Sequence, residues 1–261
     1  MMPPHPSRLA TWVRSFLPAF GFRRREPGRA LLVLVLGVLV GCDGANLFQT
    51  GTPLPPSPSE EGFRAQVLRY FEEGTQLLDD EVPLRFRWDL GDPRLQFDAG
   101  VPERERVAFL RALSELESVG APPIPVVASG GTIRVEAFPP DQYRLLDPTR
   151  PWSFSRTFVT ATPQAGITEV NILLSLDLGQ AELERASLHA MGHAVGIMGH
   201  PSFPGDLHVM AARPEGGQIP TFLAPVEREA IRFLYTQGVR PGMTRPEIRN
   251  EFRSFFVSGG G

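Results

Sequence analysis

The sequence comprises 261 residues, of which 42% are hydrophobic and 21% are charged, a composition typical of a globular protein with one or two domains. The formal net charge is −3 at pH 7, but residues 1–42 hold six of the 26 basic residues and one of the 29 acidic residues, so residues 43–261 carry −8. This negative charge argues against binding to nucleic acid or anionic lipid through charge, and the single cysteine excludes an internal disulfide bond.

The first 42 residues predict a secretory signal peptide. Arginines at 23–25 precede an apolar run at 31–40, which is too short to span a bilayer as a mature helix. The run ends in Leu-Val-Gly-Cys at 39–42 and resembles the lipobox of bacterial lipoproteins, in which the cysteine is lipidated. The resemblance implies that Cys42 is lipidated and attaches the protein to a membrane of the bacterial cell envelope, in the periplasm or at the cell surface. The alternative is a buried thiol at the end of a membrane anchor.

A tether is predicted between this segment and the folded domain. Residues 43–61 are polar and rich in proline, serine and glycine, which favours a semi-extended linker and leaves 62–258 for the domain. Apolar residues at helical spacing predict a first helix around 63–71, and the alternating residues 84–88 predict a strand. Pro102 then opens a predicted amphipathic helix whose apolar face comprises Val107, Leu110, Leu113 and Leu116.

The second half of the chain alternates between strand-like and helix-forming segments. The alternating segment 131–137, the segment 156–160, which is rich in β-forming residues, and the segment 166–174, which follows a turn, predict strands. Helix-forming residues return at 180–195 and, after a proline-containing loop, at 226–235, and a capping-box pattern predicts a last short helix from Thr244. The order of these elements predicts an α+β domain.

Three of the five histidines fall in one segment, Leu-His-Ala-Met-Gly-His-Ala-Val-Gly-Ile-Met-Gly-His at 188–200. His189 and His193 are four residues apart on a predicted helix, so both imidazoles project from one face and can reach one ion. Gly196 permits a sharp turn, after which His200 approaches from another direction. Three histidines so arranged leave the fourth position of a tetrahedral zinc ion open for water, as in catalytic rather than structural sites. The alternative is three histidines that pack without a metal.

This segment resembles the signature of the metzincin clan of zinc peptidases, most closely its matrixin-like (peptidase M10 type) members. That signature is H-E-x-x-H-x-x-G-x-x-H followed by a methionine turn, and residues 206–210 resemble the approach to the turn, with Met210 as its methionine. The resemblance implies an α+β metzincin-like catalytic domain with a mixed twisted sheet, an active-site helix and a C-terminal helix. It also implies zinc (Zn2+) as the cofactor, a peptide or protein as substrate or ligand, and three ligands: His189, His193 and His200.

Two departures from the signature bear on this site. His200 follows Gly196 by one residue more than the signature has, and we expect the loop after the helix to absorb that residue. Asp206 and His208 are the next residues along the chain that could replace it as ligand. The second departure is Ala190, which stands where the family carries its catalytic glutamate.

Because of this alanine, the sequence assigns no catalytic residue. A glutamate beside the first ligand accepts a proton from water and passes it to the leaving nitrogen, a contribution typically worth about 10²–10⁴-fold in rate. Glu184 and Glu215 flank the segment, and we expect both to be solvated surface charges. The sequence therefore predicts a zinc-binding, lipid-anchored, metallopeptidase-like protein that is weak or inactive as a protease. The alternatives are an active zinc metalloendopeptidase that uses another carboxylate and a non-catalytic peptide-binding domain.

Overall fold

The described part of the chain forms a five-stranded mixed sheet and six helices. The computed structural model describes residues 59–89, 91–146, 154–201, 208–211 and 219–257, together with the backbone of 38–41. The sheet contains an antiparallel hairpin, and three consecutive helices follow this hairpin along the chain. The predicted α+β class is therefore confirmed. Cys42, the predicted lipidation residue, lies outside the described residues. None of the described helices has the length and hydropathy that crossing a bilayer requires.

The sheet combines parallel and antiparallel pairs. Its strands are β1 Val38–Gly41, β2 Leu95–Phe97, β3 Ile133–Phe138, β4 Ser155–Thr162 and β5 Gly166–Ser175. Their spatial order is β1–β4–β5–β3–β2. The strands β2, β3 and β5 pair in parallel, whereas β4 is antiparallel to β5 and β1 is antiparallel to β4. The sheet is therefore mixed, as predicted, with its antiparallel strands on one side.

Residues 84–88 form no strand, although their alternation predicts one. Trp88 makes a single antiparallel bridge to the start of β5, and its indole N–H donates a hydrogen bond to Ala194 O at 2.8 Å. Leu84 N–H donates to Met243 O at 2.8 Å. Because the partners of this segment come from separate parts of the chain, they form no continuous ladder of hydrogen bonds.

The helices of the described residues are α1 Glu60–Gly74, α2 Glu103–Ser118, α3 Pro140–Leu146, α4 Gln180–Ala194, α5 Pro225–Leu234 and α6 Arg245–Val257. α1 begins at Glu60, one residue before the predicted end of the tether, because the Ser59 side chain accepts a hydrogen bond from Gly62 N–H and caps the helix. Pro225 lies in the first turn of α5, where its missing N–H leaves no hydrogen bond unmade. The sequence patterns do not predict α3.

The buried face of α2 differs from the predicted one. Val107 and Leu110, which were expected on the apolar face, are 38% and 41% exposed. The buried apolar stripe instead consists of Ala108, Phe109, Ala112, Leu113 and Leu116. α2 packs against α4, and the two alanines in the stripe allow a close approach between the helices. The fit between two helices, rather than the position of the largest aliphatic residues, therefore sets the orientation of α2.

Candidate metal centre

Helix α4 places two of the predicted ligands inside the protein. Every residue from Arg185 to Ala194 is buried, so this stretch of the helix has no solvated face. His189 and His193 lie one turn apart, and their ring centroids are 4.6 Å from each other. The four-residue spacing therefore brings the two imidazoles together as the sequence indicates.

A left-handed glycine ends this helix and turns the chain toward the third histidine. Gly196 has a φ of +109°, and a Cβ atom there would lie 2.1 Å from Phe86 O, so only glycine fits. The hydroxyl group of Tyr235 donates a hydrogen bond to Val195 O at 2.8 Å. This bond satisfies one of the carbonyl groups that the end of a helix leaves without a partner.

The loop between Gly196 and His200 contacts the C-terminal end of α1. Gly199 N–H donates to Gly74 O at 2.7 Å. A Cβ atom on Gly199 would lie 2.0 Å from Glu73 O, a separation that no side chain tolerates. The residue that the zinc-peptidase signature does not have is thus accommodated in this loop, outside the helix.

The side chains of the three predicted ligands converge. Their ligand nitrogens lie within 4.8 Å of one another, and the Nε2 atoms of His189 and His200 are 3.2 Å apart. Two nitrogens bound at tetrahedral angles to one zinc ion lie about 3.3 Å apart. Of the two replacement ligands considered, His208 is not in this cluster, and Asp206 lies outside the described residues. The geometry fits a three-histidine metal site.

Hydrogen bonds of the rings leave their Nε2 atoms available to a metal ion. His189 Nδ1 lies 2.8 Å from Val209 O, and His193 Nδ1 lies 2.6 Å from Ile197 O. Because a carbonyl only accepts, both Nδ1 atoms carry the proton and both Nε2 atoms present a lone pair. His193 Nε2 is buried and makes no hydrogen bond to any described residue. A cation would satisfy this nitrogen, whose burial without a partner costs about 1–3 kcal/mol.

Burial keeps these imidazoles neutral. Desolvation, together with the neighbouring His200 ring, lowers the pKa of His193 to about 3. Desolvation and the other two histidines hold the pKa of His189 well below its usual range, and the guanidinium of Arg185 lowers it further. Neutral imidazole is the form that ligates a metal, so cation binding at neutral pH requires no loss of protons from these rings.

A turn at 208–211, here called the methionine turn, packs against α4. Met210 is buried, and its Sδ atom would lie 2.5 Å from a Cβ atom on Gly192, so glycine at that position makes room for the thioether. Arg185 donates a hydrogen bond from its guanidinium to Ala211 O at 2.6 Å. Met210, the predicted methionine of the turn, thus contacts the part of the helix that carries the predicted ligands.

The described residues place no carboxylate in the histidine cluster. Ala190 is fully buried, and its methyl group offers no proton acceptor. Glu184 is engaged at the surface, where it accepts hydrogen bonds from Arg111 at 3.0 Å and from Gln180 at 2.7 Å. Glu215 lies outside the described residues. Within the described structure, the residue that follows His189 therefore offers a methyl group and no proton acceptor.

Sequence reasoning missed the residues that support the ligands. Ile197 accepts from His193 four residues earlier, a local contact that the end of the helix could have suggested. Val209, the acceptor for His189, is far away in sequence, and Glu227, which binds the backbone of the methionine turn, is farther still. No short-range pattern identifies these two residues.

Comparisons with known proteins do not identify a family. No description of a known protein family matches the chain, and no curated protein matches it. The structure of myroilysin is similar over 78% of this chain and 94% of its own length, with 13% sequence identity and a TM-score of 0.35. A similarity of this size does not establish a shared fold. The function proposed below therefore rests on the geometry of the three histidines and not on this similarity.

Proposed function

We propose that this protein is a zinc-binding, metallopeptidase-like lipoprotein that is weak or inactive as a protease. His189, His193 and His200 would hold the ion, and lipid on Cys42 would attach the domain to the bacterial cell envelope, in the periplasm or at the cell surface. The observation that carries the proposal is the convergence of three imidazoles whose ligand nitrogens lie within 4.8 Å of one another. Backbone carbonyls orient two of the rings.

The histidine set resembles that of a catalytic zinc site rather than a structural one. Three protein ligands fill three of the four positions around a tetrahedral ion and leave the fourth for another ligand. A bound zinc ion would supply Lewis acidity toward a peptide carbonyl and toward water. His200 is only half-buried, unlike the other two ligands, so the cluster is least enclosed on its side.

The missing base supports the proposal of low activity. General acid–base help of this kind typically contributes about 10²–10⁴-fold to the rate, and Ala190 cannot provide it. An active endopeptidase, the alternative, would need a carboxylate from elsewhere. Asp206 and Glu215 belong to the segments that flank the methionine turn, so they are the first residues to replace if the protein proves active.

A second candidate function is the binding of an extended peptide without cleavage. β1 pairs with β4 in a register that runs from Val38 opposite Val159 to Gly41 opposite Arg156. Because β1 belongs to the predicted signal peptide, cleavage before Cys42 would remove it and leave backbone groups of β4 unpaired at the edge of the sheet. Such an edge can add an extended peptide through main-chain hydrogen bonds.

Zinc content and proteolysis of the purified protein test the main proposal. We expect about one zinc ion per chain, the number that one three-histidine site can hold. His189→Ala should lose the metal, whereas Glu184→Ala, which removes a carboxylate of the same helix that lies outside the cluster and pairs with Arg111 and Gln180, should retain it. Cleavage of unfolded protein substrates should be slow or absent.

Two results would contradict the proposal. A metal-free preparation that ignores added zinc would exclude the metal site. Rapid cleavage that a chelator abolishes would contradict the proposal that the protein is a weak or inactive protease, and it would favour an active zinc endopeptidase.

A further inference from the structure

One face of α1 contacts Glu227, which binds the methionine turn, and Gly199, which precedes the third predicted ligand. Tyr70 and Gly74 are four residues apart on this helix, so they lie on the same side, one turn apart. The Tyr70 hydroxyl donates a hydrogen bond to the Glu227 carboxylate at 2.9 Å, and Gly74 O accepts from Gly199 N–H at 2.7 Å. Neither α1 residue is a predicted metal ligand, but each forms a hydrogen bond with a residue that helps to position one.

Glu227 connects Tyr70 to the methionine turn. Its carboxylate is 0% exposed, and it accepts hydrogen bonds of 2.8–3.1 Å from the Tyr70 hydroxyl and from the N–H groups of Val209, Met210 and Ala224. Four donors saturate the lone pairs of an ionised carboxylate. Burial raises the pKa of Glu227, and the donated hydrogen bonds oppose that rise. Because every one of these partners donates, the arrangement stabilises the ionised form.

The methionine turn in its turn orients a predicted ligand. Val209 donates its N–H to Glu227 at 3.1 Å and offers its carbonyl oxygen to His189 Nδ1 at 2.8 Å. One residue of the backbone therefore links the buried carboxylate to the imidazole. Hydrogen-bond partners of a metal-ligating histidine fix its tautomer and ring orientation, and their removal typically weakens metal binding about 10- to 100-fold.

The other contact of the same face acts on the third ligand. Gly199 directly precedes His200, and its N–H donates a hydrogen bond to Gly74 O at the end of α1. The backbones approach so closely that a Cβ atom on Gly199 would meet Glu73 O. The position of the His200 backbone therefore depends on the position of α1.

We propose that contacts from α1 fix the positions of two of the three predicted ligands and that Tyr70 is a positioning residue for zinc binding. Tyr70 acts on His189 through Glu227 and the methionine turn, and Gly74 acts on His200 through Gly199. This inference rests on the proposed zinc site and adds that a helix far from the histidine segment in sequence sets the affinity of that site.

The zinc affinity of Tyr70→Phe, measured on the purified protein by competition with a chromogenic chelator, tests the inference. The substitution removes one hydroxyl and keeps the ring, so we expect the dissociation constant for zinc to rise about tenfold. Glu227→Gln sets an amide donor against groups that all donate, and it should raise the constant about 10- to 100-fold. Tyr143→Phe is the matched control, because it removes a hydroxyl from another buried tyrosine, on α3, and should leave zinc affinity unchanged.

A double-mutant cycle separates positioning from a general loss of stability. If Tyr70 acts through Glu227, the double variant should bind zinc no more weakly than Glu227→Gln alone. Additive losses would overturn this route. For a variant that is destabilised but still folded without metal, the rise in unfolding temperature on adding zinc gives the same comparison of affinity.

The outcomes for α1 and for the zinc site are distinguishable. Wild-type zinc affinity in both Tyr70→Phe and Glu227→Gln would overturn the positioning role while leaving the zinc site intact. A wild-type protein that binds no zinc would overturn the proposed function itself.

Discussion

Ala190 directly follows the first predicted ligand on α4, and its side chain is fully buried. A carboxylate at this position would pay a large desolvation cost if it had no charged partner nearby. A metal ion held by the neighbouring His189 would be such a partner, because a cation nearby favours the ionised form of a carboxylate. The consequence of restoring an acid here therefore depends on whether metal is bound.

Ala190→Glu is expected to raise zinc-dependent peptide hydrolysis, by up to about 10²–10⁴-fold, because it supplies the missing proton acceptor. Ala190→Gln is the matched control, since it has nearly the same size and no basic oxygen of comparable strength. Cleavage of a fluorogenic peptide, with and without chelator, measures the difference. Equal rates in two folded, zinc-loaded variants would show that the base is not what limits activity.

The loop at 196–200 depends on contacts between elements rather than on its own sequence. Its first residue, Gly196, turns away from α4 in a left-handed conformation, and Gly199 is pressed against the end of α1. Between these two points the chain accommodates one residue more than the zinc-peptidase signature contains. The position of His200 is therefore set at both ends of the loop.

Gly199→Ala is expected to weaken zinc binding by about tenfold or more, because the new Cβ atom would lie 2.0 Å from Glu73 O and the loop must move. Gly100→Ala is a suitable control, since a Cβ atom there meets nothing within 4 Å. Isothermal titration with zinc gives both affinities. An unchanged affinity in a folded Gly199→Ala protein would mean that the contact with α1 does not control the third ligand.

For the molecule as a whole, buried neutral histidines make the stability of the metal-free protein depend on pH. Burial lowers the pKa of His193 to about 3 and the pKa of His208 to about 4. Unfolded histidines titrate near pH 6.5. Between these values the unfolded chain binds protons that the folded protein excludes, so acidification favours unfolding.

The urea midpoint of the metal-free protein should therefore be lower at pH 5.0 than at pH 7.5, with chelator present throughout. His193→Gln should show a smaller decrease, because one of the responsible groups is gone. A midpoint that does not fall on acidification would contradict the burial of neutral rings. Zinc added at pH 7.5 should raise the midpoint, since it binds the folded state.

Features that depend on short-range periodicity could be predicted. The i, i+4 histidine pair, the helix that carries it and the glycine after it follow from the geometry of one helix and its end. The α+β class follows from the order of such elements. Features that depend on partners elsewhere in the chain were mispredicted or missed: residues 84–88 found scattered partners instead of a strand, and α2 buried its alanines rather than Val107 and Leu110.

The sequence by itself determined the chemical types at the candidate site: three imidazoles, a methionine and, at 190, a methyl group in place of a carboxylate. Only the tertiary structure decided that the third imidazole reaches the other two, because its position comes from the contact between Gly199 and α1. The tertiary structure also decided which groups orient the first imidazole, through Val209 and Glu227. These contacts join residues that are distant in sequence, and no local pattern encodes a hydrogen bond that forms only when separate elements pack together.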